Sequence, residues 1–312
     1  MQAAIISEYG QTPQYGTFTD PVPDDAHEVV EVLAAAVHQL VRTRAAGRHY
    51  SSTDVLPVVP GVDCVARTES GERIYTGGTD DPFGTLGERT LVPRGFGVPV
   101  PDGLDDATAA AIVNPGASSW LPLAPLLAQR PAATVLIHGA TGVSGLLAVQ
   151  VAKVLGAGRV IAAGRSEAGL ATATARGADA VVLLDEPLAP QVQRAAPDGV
   201  DIVIDYLWGD RTAALLPALL AGDRGPDQYL DLVEVGSMAG QTLPVQGAWL
   251  RSRPLRVSGS GLGSVGMRAM LGAVSGVLAA AADGRLTVDY VARPLAEVTD
   301  AWATGDRLVL IP

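Results

Sequence analysis

"VLIHGATGVSG", residues 135–145, is an apolar run that passes directly into Gly139, Gly142 and Gly145. A run apolar at every position reads as a strand buried on both faces. A chain leaving such a strand for a helix must bend sharply, and glycine permits the bend. A side chain at Gly142 would block an anion approaching the turn, and one at Gly145 would hold the helix off the strand. The helix opening near Val143 offers free N–H groups and the positive end of its dipole. The stretch therefore reads as a turn for a dinucleotide pyrophosphate, with Thr141, Gly142, Val143, Ser144 and Gly145 as candidate contacts.

The rhythm downstream agrees. "RVIAAG", "DAVVLL", "VDIVIDYL", "YLDLVEVGS" and "PLRVSGSG" are strand-like. Helix-like "VSGLLAVQVAKVLGAG", "EAGLATATARGA", "PLAPQVQRAA" and "RTAALLPALLAG" alternate with them. Apolar strands alternating with helices predict a doubly wound parallel sheet. Residues 1 to about 116 read differently, as short β-like runs broken by Pro and Gly, which predicts a β-rich domain. "PDGLDDATAAAIVNPGASSWLPLAPLL" predicts a helix, a break at Asn114–Pro115–Gly116 and a second helix. The tail adds strand, helix and strand, expected to complete the first domain.

The chain has 312 residues, enough for two domains. Its net charge of −11 argues against nucleic acid as a partner. The single cysteine, Cys64, excludes an internal disulfide and any multi-cysteine zinc site. The N-terminus lacks the pattern of a signal peptide, and no apolar run is long enough to span a membrane, so a cytoplasmic setting is expected.

The second strand distinguishes the two nicotinamide cofactors. It ends in Gly164, Arg165 and Ser166 rather than in a carboxylate. Arg165 can fork onto a 2′-phosphate and Ser166 can donate to it, which favours NADP(H). The competing reading makes Arg165 a solvated surface residue and Glu167 the partner of an NAD ribose.

"ISEYG", "LPVVPGVD", "VPVPDGLDDATAAA", "VLIHGATGVSGLLAVQVAKVLGA" and "GDRLVLIP" fall in the order and spacing of the medium-chain dehydrogenase/reductase superfamily. The chain resembles that family throughout, most closely its zinc-free, quinone-oxidoreductase-like branch. The resemblance implies a GroES-like catalytic domain over 1–117, a Rossmann domain over 118–263 and a C-terminal return over 264–312. It also implies a homodimer paired through the last Rossmann strand. Zinc-dependent members carry a Cys-His pair and a Gly-His-Glu. Here Val62 stands at the ligand histidine and no cysteine precedes His38. No metal is expected, and His38 and Cys64 read as packed residues.

Without a Lewis acid, a carbonyl or enone oxygen must be polarised by protein donors. The resemblance puts the candidates in "GRHYSS": His49 or Tyr50, which a one-residue shift would exchange, with Ser51 assisting. The alternative is that His49 and Tyr50 merely close a surface loop. Asn114 and Ser118 correspond to a stretch that touches the nicotinamide side in relatives; helix capping is the alternative. Asp205 and Leu207, in "DYLWG", and Gly236, Ser258 and Gly259, at the ends of the last two strands, fall on the cofactor side of the sheet. Trp208 can wall a substrate pocket or be core.

Short-chain reductase chemistry is excluded, because it needs a tyrosine four residues before a lysine. The sole lysine is Lys153, and residue 149 is valine. The expected activity is NADPH-dependent reduction of a small molecule: a quinone, an enone or a related activated carbonyl compound. A catalytically silent NADPH-binding sensor or structural protein, and a tailoring reductase with one dedicated substrate, stay open.

Overall fold

The computed structural model describes residues 1–49, 52, 55–221, 225, 227–261, 263–305 and 307–312. It divides into two compact units, one of Met1–Asn114 with Ala281–Pro312 and the other of Pro115–Ala280.

The first unit is mostly sheet. β1 (Gln2–Ile5) and β2 (Gln14–Thr17) pair antiparallel. β3 (His27–Val37) is followed by helix α1 (Gln39–Ala45) and by β4 (Asp63–Arg67), β5 (Arg73–Gly77), β6 (Arg89–Pro93) and β7 (Val98–Pro99). Val30, Val32, Ala35, Val37, Leu86 and Val92 fill its core, together with Leu308 and Leu310 from the far end of the chain.

Helix α2 (Asp106–Gln129) runs from the first unit into the second. The expected break at Asn114–Pro115–Gly116 is absent: the helix continues through Pro115, Pro122 and Pro125. Proline has no N–H, so Pro115 leaves the carbonyl of Ala111 without its helical donor. The buried Arg307 supplies one, its Nε donating to Ala111 O at 3.1 Å. The capping reading of Asn114 and Ser118 falls with the break, since both lie inside the helix. Ser118 Oγ donates to Pro115 O at 2.7 Å.

In the second unit the strands are β8 (Thr134–His138), β9 (Arg159–Gly164), β10 (Ala180–Leu183), β11 (Ile202–Asp205), β12 (Leu230–Glu234) and β13 (Leu255–Gly259). Between them run helices α3 (Val143–Val154), α4 (Glu167–Ala175), α5 (Leu188–Ala195), α6 (Gly209–Leu219) and α7 (Gly247–Ser252). All the pairings are parallel, in the order β10-β9-β8-β11-β12-β13. The order reverses beside β8, and a sheet of this kind takes its ligand at the carboxyl ends of the strands there. Leu136, Ile161, Val182 and Val203 lie beneath Leu215 and Leu216 of α6 in one core.

Helix α8 (Met267–Ala282) leads back to the first unit. There β14 (Val291–Pro294), a 3-10 turn at Leu295–Glu297, α9 (Val298–Ala301) and β15 (Leu308–Ile311) close the sheet, β15 pairing with β3. No helix among the described residues is long and apolar enough to cross a membrane.

Candidate functional site

The turn from β8 into α3 gives each glycine a distinct reason. Gly139 takes φ +93°, and Leu207 and Tyr206 side-chain atoms lie 3.2 and 3.3 Å from where its Cβ would be. The N–H groups of Gly139 and Ala140 both donate to Ala163 O at 2.9 Å, tying the turn to β9. Gly142 is the N-cap of α3, extended at φ −89° and ψ 169°, with no side chain capping the helix. A Cβ there would meet nothing within 4 Å. At Gly145 a Cβ would fall 2.2 Å from Gly139 O and 2.6 Å from Ala140 Cα. The helix thus presses on the turn from one side and leaves its amino end open on the other.

Thr141 joins this turn to the next. It fills a niche made by two further glycines: a Cβ at Gly164 would come within 2.5 Å of Thr141 Cγ2, and one at Gly169 within 2.7 Å of its Cβ. The end of β9 is thereby held beside the amino end of α3. Ser166 caps α4, its Oγ accepting from Gly169 N at 3.1 Å, which leaves its O–H free to donate outward. Arg165 is exposed and has no carboxylate partner among the described residues.

The turn after β11 is shaped by Asp205. Its buried Oδ1 accepts from Leu207 N at 2.8 Å and Trp208 N at 3.0 Å, and its Oδ2 accepts from Thr212 Oγ1 at 2.6 Å. The turn places Trp208 at φ +55° and ψ −165°, a region an L side chain occupies only under strain. Gly236 N donates to Asp205 O at 3.1 Å and Ala239 N to Leu207 O at 2.7 Å, so the chain after β12 is zipped onto this turn. Ser258 and Gly259 lie on the exposed strand β13, apart from that contact.

Sequence reasoning did not single out two residues of this edge. Tyr206 bonds Ser118 Oγ at 3.0 Å, and burial pushes its phenol up to about 12. Because Ser118 gives its own proton to Pro115 O, Tyr206 is the donor of the pair. His138, at the end of β8, is fully buried with both ring nitrogens lacking a hydrogen-bond partner among the described residues. Burial lowers its pKa; nearby Asp205 opposes that shift and Arg211 adds to it. The only sequence signal for either was its place inside a quoted motif.

In the first unit His49 is partly buried, and burial followed by the charge of Arg44 depresses its imidazole. Ser52 is folded back on it, with Ser52 N donating to His49 O at 2.9 Å. Tyr50 and Ser51 lie outside the described residues. Tyr9, Arg44, Ser52, Gly61 and Asp81 line a small depression beside this loop. A second cluster is buried. Asp63 Oδ2 accepts from Asn114 Nδ2 at 3.0 Å and lies 3.1 Å from His38 Nε2. Burial would raise Asp63, but attraction to His38, its hydrogen bond and the charge of Arg307 together hold the carboxyl below its ordinary value. His38 is buried, and its Nε2 is spent on this carboxylate.

These donors do not make a zinc site. The thiol of Cys64 is fully buried, and burial with the neighbouring Asp63 pushes its pKa far up, whereas a metal ligand must be a thiolate. Among the described residues no group of three or more His, Cys, Asp or Glu can hold a metal ion.

A family model described as "Zinc-binding dehydrogenase" matches residues 144–271, which begin just after the glycine turn. A protein of Emericella nidulans named "Probable NADPH-dependent quinone reductase tdiC" is 29% identical over the whole of both chains. The chain is similar over its full length to proteins of the medium-chain dehydrogenase/reductase superfamily. Among other relatives, human quinone oxidoreductase is 26% identical over 72% of this chain and 71% of its own. The Thermus thermophilus quinone oxidoreductase, a structure also solved with NADPH, is 26% identical with a TM-score of 0.80 over the full length of both chains. The described residues of this chain's first unit hold no group of three or more metal-ligating side chains.

Proposed function

We propose that the chain is an NADPH-dependent, zinc-independent reductase of quinones, extending to enones and related activated carbonyl compounds. The observation that carries the proposal is the open amino end of α3 at Gly142, with Thr141 seated against Gly164 and Gly169, the glycines on either side of Arg165 and Ser166. Two anion-binding turns side by side suit a dinucleotide with a third phosphate: the pyrophosphate on the N–H groups of Val143 and Ser144, the 2′-phosphate on Arg165 and Ser166. When bound, NADPH supplies a hydride.

The turn held by Asp205, with Leu207 and Gly236, borders the sheet edge proposed for the nicotinamide. Ser258 and Gly259 are the outermost proposed contacts. His49, Tyr50 and Ser51 are the proposed donors to the developing oxyanion, and Asn114 a further contact. His49 fits this role because its depressed pKa leaves it neutral at pH 7, able to donate from one nitrogen. A cytoplasmic location and a homodimer joined at β13 belong to the same reading. β13 is the free edge of its sheet, with Val257 exposed.

The test is turnover. Protein, NADPH and a panel of quinones and enones are mixed, and loss of reduced-nicotinamide absorbance is followed. Oxidation above background with quinones is expected. Tight NADPH binding with no oxidation by any of them would favour a binding-only protein.

A further inference from the structure

We propose that Asp63 is a positioning residue that spends the NH2 group of Asn114 inside the first unit, leaving its carbonyl oxygen as the end of the amide available to a ligand. The inference rests on the reading of Asn114 as a site residue and says what that residue can do there. Asp63 lies on β4 and Asn114 on α2, 51 residues apart, joined by the 3.0 Å bond from Asn114 Nδ2 to Asp63 Oδ2. An ionised carboxylate only accepts hydrogen bonds, so an amide facing it must turn its NH2 inward. A protonated Asp63 would permit either orientation. His38 and Arg307 keep it ionised despite its burial.

The same arginine performs two tasks. Arg307 Nε takes the place of the N–H missing at Pro115 by donating to Ala111 O, which lets α2 run on through Asn114 and the proline. Its charge also acts on Asp63. Helix path and amide orientation are therefore set by one buried cluster.

The chemical consequence is a change of role for Asn114. A carbonyl oxygen cannot polarise a substrate ketone, which requires a donor. It can hold a hydroxyl or N–H of a ligand. The donors for the reacting oxygen are then left to His49, Tyr50 and Ser51.

A double-mutant cycle tests the coupling. N114L should lower kcat/KM for a quinone about tenfold. A rise in the NADPH Kd would assign the hydroxyl or N–H that the Asn114 carbonyl accepts from to the cofactor, and a rise in quinone KM alone to the substrate. D63N should lower kcat/KM by a similar factor in the wild-type background and by less than about twofold in N114L. An equal loss in both backgrounds would overturn the proposal. Wild-type kcat/KM in N114L would instead remove Asn114 from the site. If D63N does not fold, the wild-type protein labelled with 15N-asparagine gives the answer. The Asn114 side-chain NH2 signal, identified by its loss in N114L, should exchange slowly with water with or without saturating NADP+. Fast exchange in the free protein that slows on binding would show the NH2 facing the ligand and refute the assignment.

Discussion

Gly142→Ala and Gly145→Ala make a matched pair, the same added methyl three residues apart on one turn. At Gly142 the methyl enters space with no protein atom within 4 Å, on a backbone at φ −89° that any residue adopts. Alanine caps a helix less well than glycine, by up to about 1 kcal/mol, while the stiffer unfolded chain returns about 0.4–1 kcal/mol. The two nearly cancel, so the melting temperature should move by no more than ~4 °C. The methyl nevertheless occupies the approach to the N–H groups of α3. NADPH Kd should rise at least tenfold, a loss of about 1.4 kcal/mol. At Gly145 the methyl falls 2.2 Å from Gly139 O and 2.6 Å from Ala140 Cα, backbone atoms that cannot rotate away. Overpacking of that kind costs about 1–3 kcal/mol or more, so G145A should melt clearly below wild type. Thermal melts without cofactor and titration of NADPH fluorescence separate the two effects. Wild-type NADPH affinity in G142A, or a fall in its melting temperature matching that of G145A, would refute the account of the turn.

Arg165→Glu should weaken NADPH binding far more than NADH binding, because a carboxylate repels only the cofactor bearing the extra phosphate; equal losses in parallel titrations would remove Arg165 from that role. Tyr50→Phe should cut turnover severalfold while leaving NADPH affinity within twofold, and unchanged kcat would transfer the donor role to His49. Trp208→Gly should raise the melting temperature by relieving about 1–3 kcal/mol of backbone strain at φ +55°, offset in part by the lost ring; a melting temperature lowered as in a core truncation would mean the ring's packing outweighs the strain. His138 has a folded pKa below its unfolded value of about 6.5, so its protonation opposes folding. Full stability is present above pH 6.5 and is lost as pH falls from there toward the folded pKa. His138→Phe should therefore narrow the difference in melting temperature between pH 7.5 and pH 5.5, and an unchanged difference would exclude the buried imidazole as an acid-sensitive group.

The parallel sheet was legible because its strands are covered on both faces. "VLIH", "RVIAAG" and "VDIVID" carry their burial in plain apolar text. The three glycines were legible because turn geometry is local. The path of α2 was not. Pro115 is a sound local reason to end a helix, and what overrides it is a donor 196 residues from Ala111 in sequence. The pairing of Asn114 with Asp63 was hidden in the same way, and so was the bond between Tyr206 and Ser118, 88 residues apart. Asp205 read as a cofactor contact by position, yet each of its carboxylate oxygens is engaged by its own turn. Its proposed influence on a ligand passes through the backbone it holds.

The discontinuity of the first unit bears on how the protein is made. Its sheet needs β14 and β15, and Arg307, which satisfies α2 at the proline, follows the whole of the second unit in the sequence. During translation the contiguous nucleotide-binding unit is whole in sequence before β14 and β15 are made, whereas the N-terminal strands must wait for these last partners. A chain released after residue 285 should thus show a later-encoded unit that resists protease and an earlier-encoded one that does not.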